Sequence, residues 1–156
     1  MSIQYDNILT NLFVGSYPAT GNDIHRLKDA GVAHVLNLQS DDDFDYLGVD
    51  WAALRAHYFA AGLKVQRVPI QDFDDDDLLD KLPAAVDTLT ELVQPGRPVY
   101  VHCTAGVNRS PSVVIAYLHW VEGWSLEQAA RHVRQEHPCS PVIEVLRRAT
   151  SDRQHG

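Results

Sequence analysis

Cysteine is nearly absent from this 156-residue chain: Cys103 and Cys139 are the only two. Small secreted domains that rely on disulfides carry a dense, even set of them, so a disulfide framework does not fit and a reducing, cytoplasmic setting is the expectation. Basic residues are also scarce, 13 Lys and Arg against 21 Asp and Glu, for a net charge of −8. Nucleic acid and anionic membranes select basic patches, so neither is expected as the main partner. No apolar run approaches the ~20 residues of a membrane span. The opening MSIQYDN lacks the basic, then apolar, then small-residue progression of a secretion signal. The eight His show no metal-ligand spacing, so neither a metal nor another cofactor is expected. Repeats and linkers are missing too, which leaves one domain over residues 1–156.

What is present is a globular composition, 45% hydrophobic, in a chain long enough to bury its own core. The patterning predicts strands at Asn11–Ser16, His34–Gln39, Lys64–Ile70 and Pro98–His102. Helices are predicted at Thr20–Ala30, Val49–Ala61 and Leu78–Gln94, with Gly31, Gly62 and Pro95-Gly96 as stops. Three more follow: one through Pro111–Trp120, one opened by the capping box Ser125-Leu126-Glu127-Gln128 and stopped by Pro138, and one from Pro141 to about Thr150. Asp41–Gly48 and Gln71–Asp77 read as acidic loops. Strands alternating with helices imply an α/β fold, a mostly parallel central sheet flanked by helices.

The chemistry concentrates in His102-Cys103-Thr104-Ala105-Gly106-Val107-Asn108-Arg109-Ser110. A strand, a short loop and a helix N-terminus form an anion cradle, because successive backbone N–H groups converge and the helix dipole adds positive charge. Thiolate is favoured at helix N-termini and beside cations, so Cys103 at the base of the cradle is a candidate nucleophile. Arg109, six residues on, can grip two phosphate oxygens with its planar fork. The amides of Thr104, Ala105, Gly106, Val107, Asn108 and Arg109 are the candidate phosphate binders, with Gly106 free to take an unusual backbone angle. A lone cysteine is more often a small buried hydrophobe; the spacing to Arg109 is what argues otherwise. Ser110 could cap the helix that Pro111 starts. Asn37, polar within HVLNL, needs a buried partner. Asn108 tolerates left-handed angles better than most non-glycine residues. Cys139 reads as a packing residue.

The run HCTAGVNRS resembles the HCxxGxxR[S/T] signature of the cysteine-dependent protein tyrosine phosphatase superfamily, and SPSVVIAYL resembles its dual-specificity branch. The resemblance implies that fold and a phosphocysteine intermediate formed at Cys103. It implies that His102 orients the loop and tunes the thiolate, that Ser110 stabilises the departing thiolate, and that Asn37 braces the phosphate loop. It also implies a general acid on a loop ~30 residues before the cysteine. VPIQDFDDDD supplies several candidates: Asp72 matches best, Asp74 is the runner-up, and Asp75–Asp77 suit a solvated helix start.

A second resemblance reaches further. LFVGSYPATGNDIHRLKDAGVAHVLNLQSDDDFDYLGVD, VPIQDFD, VYVHCTAGVNRSPSVVIAYLHW and HPCSP…RRATSD are similar, in order and spacing, to the catalytic domain of plant starch-excess glucan phosphatases, over about residues 7–152. That similarity implies a phosphorylated, starch-like or glycogen-like glucan as substrate. Sugar rings stack on aromatic planes, so Phe73, Tyr46 and Phe44 are the candidate glucan contacts, whereas Trp51 on a helix reads as core. Where the plant proteins have an aromatic beside Tyr46, this chain has Leu47, and no carbohydrate-binding module is expected. A phosphoprotein is the alternative substrate. A phosphoinositide is disfavoured because TAGVN carries no Lys or Arg, and an inactive phosphate-binding scaffold is disfavoured because Cys103 and Arg109 are both present. The sequence leaves the oligomeric state open.

Overall fold

The computed structural model describes residues 3–155. In chain order the elements are β1 Tyr5–Leu9, β2 Leu12–Gly15, α1 Gly21–Asp29, β3 His34–Asn37, α2 Asp41–Leu47, α3 Trp51–Ala61, β4 Lys64–Arg67, α4 Asp75–Leu92, β5 Val99–His102, α5 Arg109–Trp120, α6 Leu126–Glu136 and α7 Ile143–His155. The five strands form one sheet in the order β1-β2-β5-β3-β4. Only the β1–β2 pair is antiparallel, closed by a two-residue turn; β2–β5, β5–β3 and β3–β4 are parallel. The expected α/β class is what the chain adopts.

Alternation along the strands divides the core in two. Leu12, Val14, Leu36, Val99 and Val101 face one layer, where they pack with α4, α5, α6 and α7. Val35 and Tyr100 point the other way, into a smaller cluster with Ile24 and Leu27 of α1 and Leu54 and Tyr58 of α3. Central β5 is buried at every residue, because helices cover both of its faces. Its parallel neighbours β2 and β3 aim their C-terminal ends in the same direction. The crevice outside those ends is where an open α/β sheet places its site.

Several elements differ from the sequence-based expectation, and α7 runs on to His155, past Thr150. β1 extends the sheet by an antiparallel edge strand whose weak alternation, with Asn7 exposed between partly buried Tyr5 and buried Ile8, gives little periodic signal. Asp41–Leu47 is a helix, not a loop. Ser40 accepts from the Asp43 N–H while the Asp43 carboxylate accepts from the Ser40 N–H, a reciprocal capping box, and Gly48 ends the helix in the left-handed conformation. Three aspartates in its first turn suit the positive end of the helix dipole. The same logic extends α4 back to Asp75, with Asp74 as its N-cap.

Gly15, at the end of β2, marks a close approach. A Cβ there would lie 2.5 Å from the Gln4 carbonyl oxygen, 2.5 Å from the Tyr100 hydroxyl and 2.6 Å from Tyr5 Cβ. The Tyr100 hydroxyl donates to the Ser16 carbonyl beside it, so neither neighbour is free to yield. Gly15→Ala is therefore expected to cost about 2 kcal/mol of stability, as overpacking does. Thermal denaturation should show this as a Tm fall of roughly 5 °C.

Candidate active site

β5 ends at His102, and the chain then turns through 103–108 before α5 begins at Arg109. Cys103 closes the strand with its side chain 2% exposed and its Sγ 3.2 Å from the Ser110 Oγ. Ser110 lies inside the first turn of α5, so its hydroxyl serves the thiol and not the helix cap. The cap position falls to Asn108, which makes no side-chain cap bond. Asn108 also has an ordinary right-handed backbone, so its tolerance of left-handed angles is unused. Gly106 carries the strained position, at φ +75°, and a Cβ on it would meet the Gly15 carbonyl carbon at 2.6 Å. Both backbone angle and space demand glycine there.

A loop whose amides point inward must turn its carbonyls outward, where each needs a donor. Almost every one has it. His102 Nδ1–H donates to the Cys103 carbonyl at 2.9 Å, and the Tyr17 N–H to Thr104 at 3.0 Å. The Ser140 N–H donates to Val107 at 2.9 Å, the Ser112 hydroxyl to Asn108 at 2.7 Å, and His137 Nε2–H to Gly106 at 2.7 Å. His102 is fully buried: desolvation, with the Arg109 charge adding to it, outweighs the Cys103 hydrogen bond and brings its pKa down to about 4, which keeps the ring neutral.

Among the described residues, Asn37 makes no side-chain hydrogen bond to the loop. Its Oδ1 accepts from the Gln39 N–H at 2.7 Å, a local turn that aims Gln39. The brace is Gln39, buried at 1% exposure, whose Nε2–H donates to the Thr104 hydroxyl at 3.1 Å. The expectation for Asn37 is thus corrected: it shapes the turn, and the residue two positions on reaches the loop.

Arg109 is 3% exposed, and one edge of its fork is committed to the scaffold. Nη1 donates to Asp43 Oδ2 at 2.6 Å and to the Ile70 carbonyl at 2.7 Å. The other edge is less encumbered. Nη2 lies 3.3 Å from Asp72 Oδ2, and buried Nε has no partner among the described residues. Nε and Nη2 together form the bidentate face that suits a phosphate. Asp43 feels a desolvation penalty that would raise its pKa. The hydrogen bond from Arg109, the Ser40 N–H and hydroxyl, and the Arg109 charge outweigh it and hold the carboxyl below its ordinary value. Sequence reasoning passed over Asp43, although Ser40-x-x-Asp43 has the spacing of a capping box.

The acidic segment after β4 divides its aspartates by role. Asp74 caps α4, accepting from the Asp77 N–H at 3.0 Å. Asp77 accepts from the Gln71 N–H at 2.7 Å and pairs with Lys81, and these bonds depress its pKa. Asp72 is the aspartate that lines the cavity holding the thiol, a space of about 250 Å³ bounded by Asp72, Phe73, Cys103, Ala105, Val107, Asn108 and Arg109; Asp74 and Asp75 line a smaller neighbouring one with Arg109. Phe73, at φ +58°, is the one non-glycine residue among those described with a positive φ, and its ring is 89% exposed. Such a conformation costs about 1–2 kcal/mol and holds only where surroundings enforce it. Tyr46 is also 89% exposed, on the last turn of α2, but does not line this cavity. Phe44 is a correction. It is 6% exposed, stacked on Trp51 at 5.4 Å and covered by the Arg67 guanidinium at 4.4 Å, so it presents no face to a ligand. A larger cavity, about 690 Å³ between α6 and α7, contains none of these groups.

The architecture and this loop define a class. Residues 12–147 match the model of the dual specificity phosphatase catalytic domain, and the chain belongs to that family. Among individual proteins, it is 36% identical to the amyloplastic phosphoglucan phosphatase DSP4 of Castanea sativa, over 97% of this chain and 41% of that protein. Laforin of Mus musculus is 30% identical, over 97% of this chain and 49% of that one. The chain thus spans less than half the length of either. Of solved structures, PTPMT1 superposes with a TM-score of 0.74 at 25% identity, covering 98% of this chain and 100% of its own.

Three outcomes follow from the geometry. Asp43→Asn should destabilise the fold by about 2 kcal/mol, since a hydrogen bond to a charged group is lost. Because the folded carboxyl titrates below its ordinary value of 3.8, its contribution is complete above that pH and is lost as pH falls through the lower folded value. Denaturant melts of both proteins should therefore differ at pH 7 and converge in strong acid. In kinetics, Asp72→Asn should lower kcat by roughly a hundredfold on an alkyl phosphate and flatten the basic limb of its pH profile. Asp74→Ala should cost about 1 kcal/mol of stability through the lost cap, with kcat near that of the parent.

Proposed function

We propose that this domain hydrolyses phosphomonoesters through a phosphocysteine intermediate, and that its substrate is a phosphorylated glucan. The cavity holding Cys103, the open edge of Arg109 and Asp72 carries the first part. Cys103 Sγ attacks phosphorus in line as the S–P bond forms and the P–O bond to the leaving alcohol breaks. Loop amides and Nε and Nη2 of Arg109 take the charge that spreads over the phosphoryl oxygens. Asp72 donates its proton to the departing oxygen. A phosphate that takes Arg109 Nη2 also frees the Asp72 carboxyl, 3.3 Å from that arm before binding, to turn toward the leaving group. Water then attacks the phosphocysteine with Asp72 as base. The thiolate leaves, stabilised by the Ser110 hydroxyl at 3.2 Å.

Exposed Phe73, held beside the thiol in a backbone conformation that costs energy, supports the glucan substrate. A flat apolar ring on the rim of the crevice suits the face of a pyranose. The similarity to phosphoglucan phosphatases over 97% of the chain points the same way. A phosphoprotein is the second candidate, favoured by the family itself, whose members include dual specificity protein phosphatases.

The test is phosphate release from solubilised amylopectin or glycogen, against p-nitrophenyl phosphate and a phosphopeptide panel, with Cys103→Ser as blank. Glucan release, normalised to the generic activity, should far exceed peptide release. Phe73→Ala should lower kcat/KM on glucan by about tenfold, a larger fall than on p-nitrophenyl phosphate, as expected for one lost stacking face. Peptide release with glucan untouched would assign the domain to phosphoproteins instead.

A further inference from the structure

Among the donors that hold the loop carbonyls outward, one is a side chain reaching in from a distant segment. His137 follows the last residue of α6 and is 5% exposed. Its Nε2 lies 2.7 Å from the Gly106 carbonyl oxygen and its Nδ1 2.7 Å from Asp6 Oδ2, on β1 at the edge of the sheet. A carbonyl oxygen only accepts, so Nε2 carries the hydrogen toward Gly106, and Nδ1 faces the Asp6 carboxyl group. The ring bridges the phosphate loop and the antiparallel edge strand through both of its nitrogens.

Its position at the loop matters. Gly106 is the residue whose left-handed backbone turns the loop, and it has no side chain to hold its own conformation. Its carbonyl must face away from the cavity for the next amide, that of Val107, to face inward. Behind it the Gly15 and Ser16 backbone leaves no space for a Cβ, but makes no hydrogen bond to that carbonyl. Three residues after His137, the Ser140 N–H takes the Val107 carbonyl at 2.9 Å, and Val142 N–H donates to the Ser112 hydroxyl at 3.0 Å. The segment His137–Val142 thus lies along the outer wall of the loop, and Asp6 sets the angle of its first contact.

We propose that His137 and Asp6 are positioning residues for the reaction: a strut that fixes the Gly106 peptide so that the Val107 amide stays aimed at the phosphoryl oxygens. Neither touches substrate. Preorganised amides are most valuable where charge develops, so loosening the strut weakens binding of a transition-state mimic. The role rests on the phosphatase function proposed above but is independent of the glucan.

The experiment compares wild type with His137→Gln, which keeps a donor but cannot span both partners, and Asp6→Asn, which removes the charge at the outer end. Competitive inhibition by vanadate is measured with p-nitrophenyl phosphate, alongside far-UV circular dichroism and Tm. For both variants the vanadate inhibition constant should rise about tenfold, with kcat falling more than KM rises and the folded spectrum kept. Vanadate inhibition unchanged in both folded variants overturns the strut. Should His137→Gln not fold, the exposed-side Asp6→Asn decides alone by the same criterion. A wild-type chain that vanadate inhibits but that leaves glucan untouched fails the glucan substrate and still tests the strut.

Discussion

The structure depends on one constraint: a loop that offers its amides to an anion must turn its carbonyls to the protein, and the protein must supply donors for them. Much of the surrounding architecture answers that demand. The turn after β2 brings the Tyr17 N–H to Thr104, the end of α6 brings His137 to Gly106, and the stretch before α7 brings the Ser140 N–H to Val107. Close packing against the Gly15 backbone then leaves the loop a single course, and Gly106 is the residue small enough to follow it. A buried carbonyl without a donor costs free energy comparable to a lost hydrogen bond, so these contacts set the conformation of the loop as well as its stability.

Charge is managed by the same economy. The chain is acidic, yet it buries a guanidinium beside the loop, and two carboxylates from different segments accompany it. Asp43 holds Nη1 from the side opposite the cavity, and the Ile70 carbonyl shares that arm. This leaves Nε and Nη2 oriented before any substrate arrives. Asp43 is itself fixed by the capping box of α2, so a helix start and an arginine rotamer are one structural unit. The acid loop is anchored at its ends, by the Gln71 N–H to Asp77 and by Asp74 at the start of α4. Asp72 and Phe73 are left at its tip, facing the thiol.

The loop with its buried cysteine, arginine and left-handed glycine, and the layered α/β class, were legible in the sequence, because each depends on local spacing: a strand, a short loop and a helix start within a dozen residues. Asp72 stood out from its neighbours only partly, since five aspartates within six residues share one composition and differ in what each carboxylate accepts. Phe44 and Tyr46 looked alike as aromatics on an acidic stretch. Once that stretch is a helix, one ring turns under Arg67 and the other into solvent.

Residue order by itself therefore determined the chemistry available: a thiol and a fork held at the spacing of one phosphate, at the mouth of a parallel sheet. Tertiary structure alone decided which groups hold that chemistry in place. Gln39, Asp43, His137 and Asp6 lie 64, 60, 34 and 97 positions from Cys103, and no local pattern links them to it. They reach the loop or the residues that hold it only because the β2–β5–β3 register and the packing of α6 against β1 bring their segments to one end of the sheet. Hydrogen bonds act over about 3 Å in space, whatever the separation along the chain.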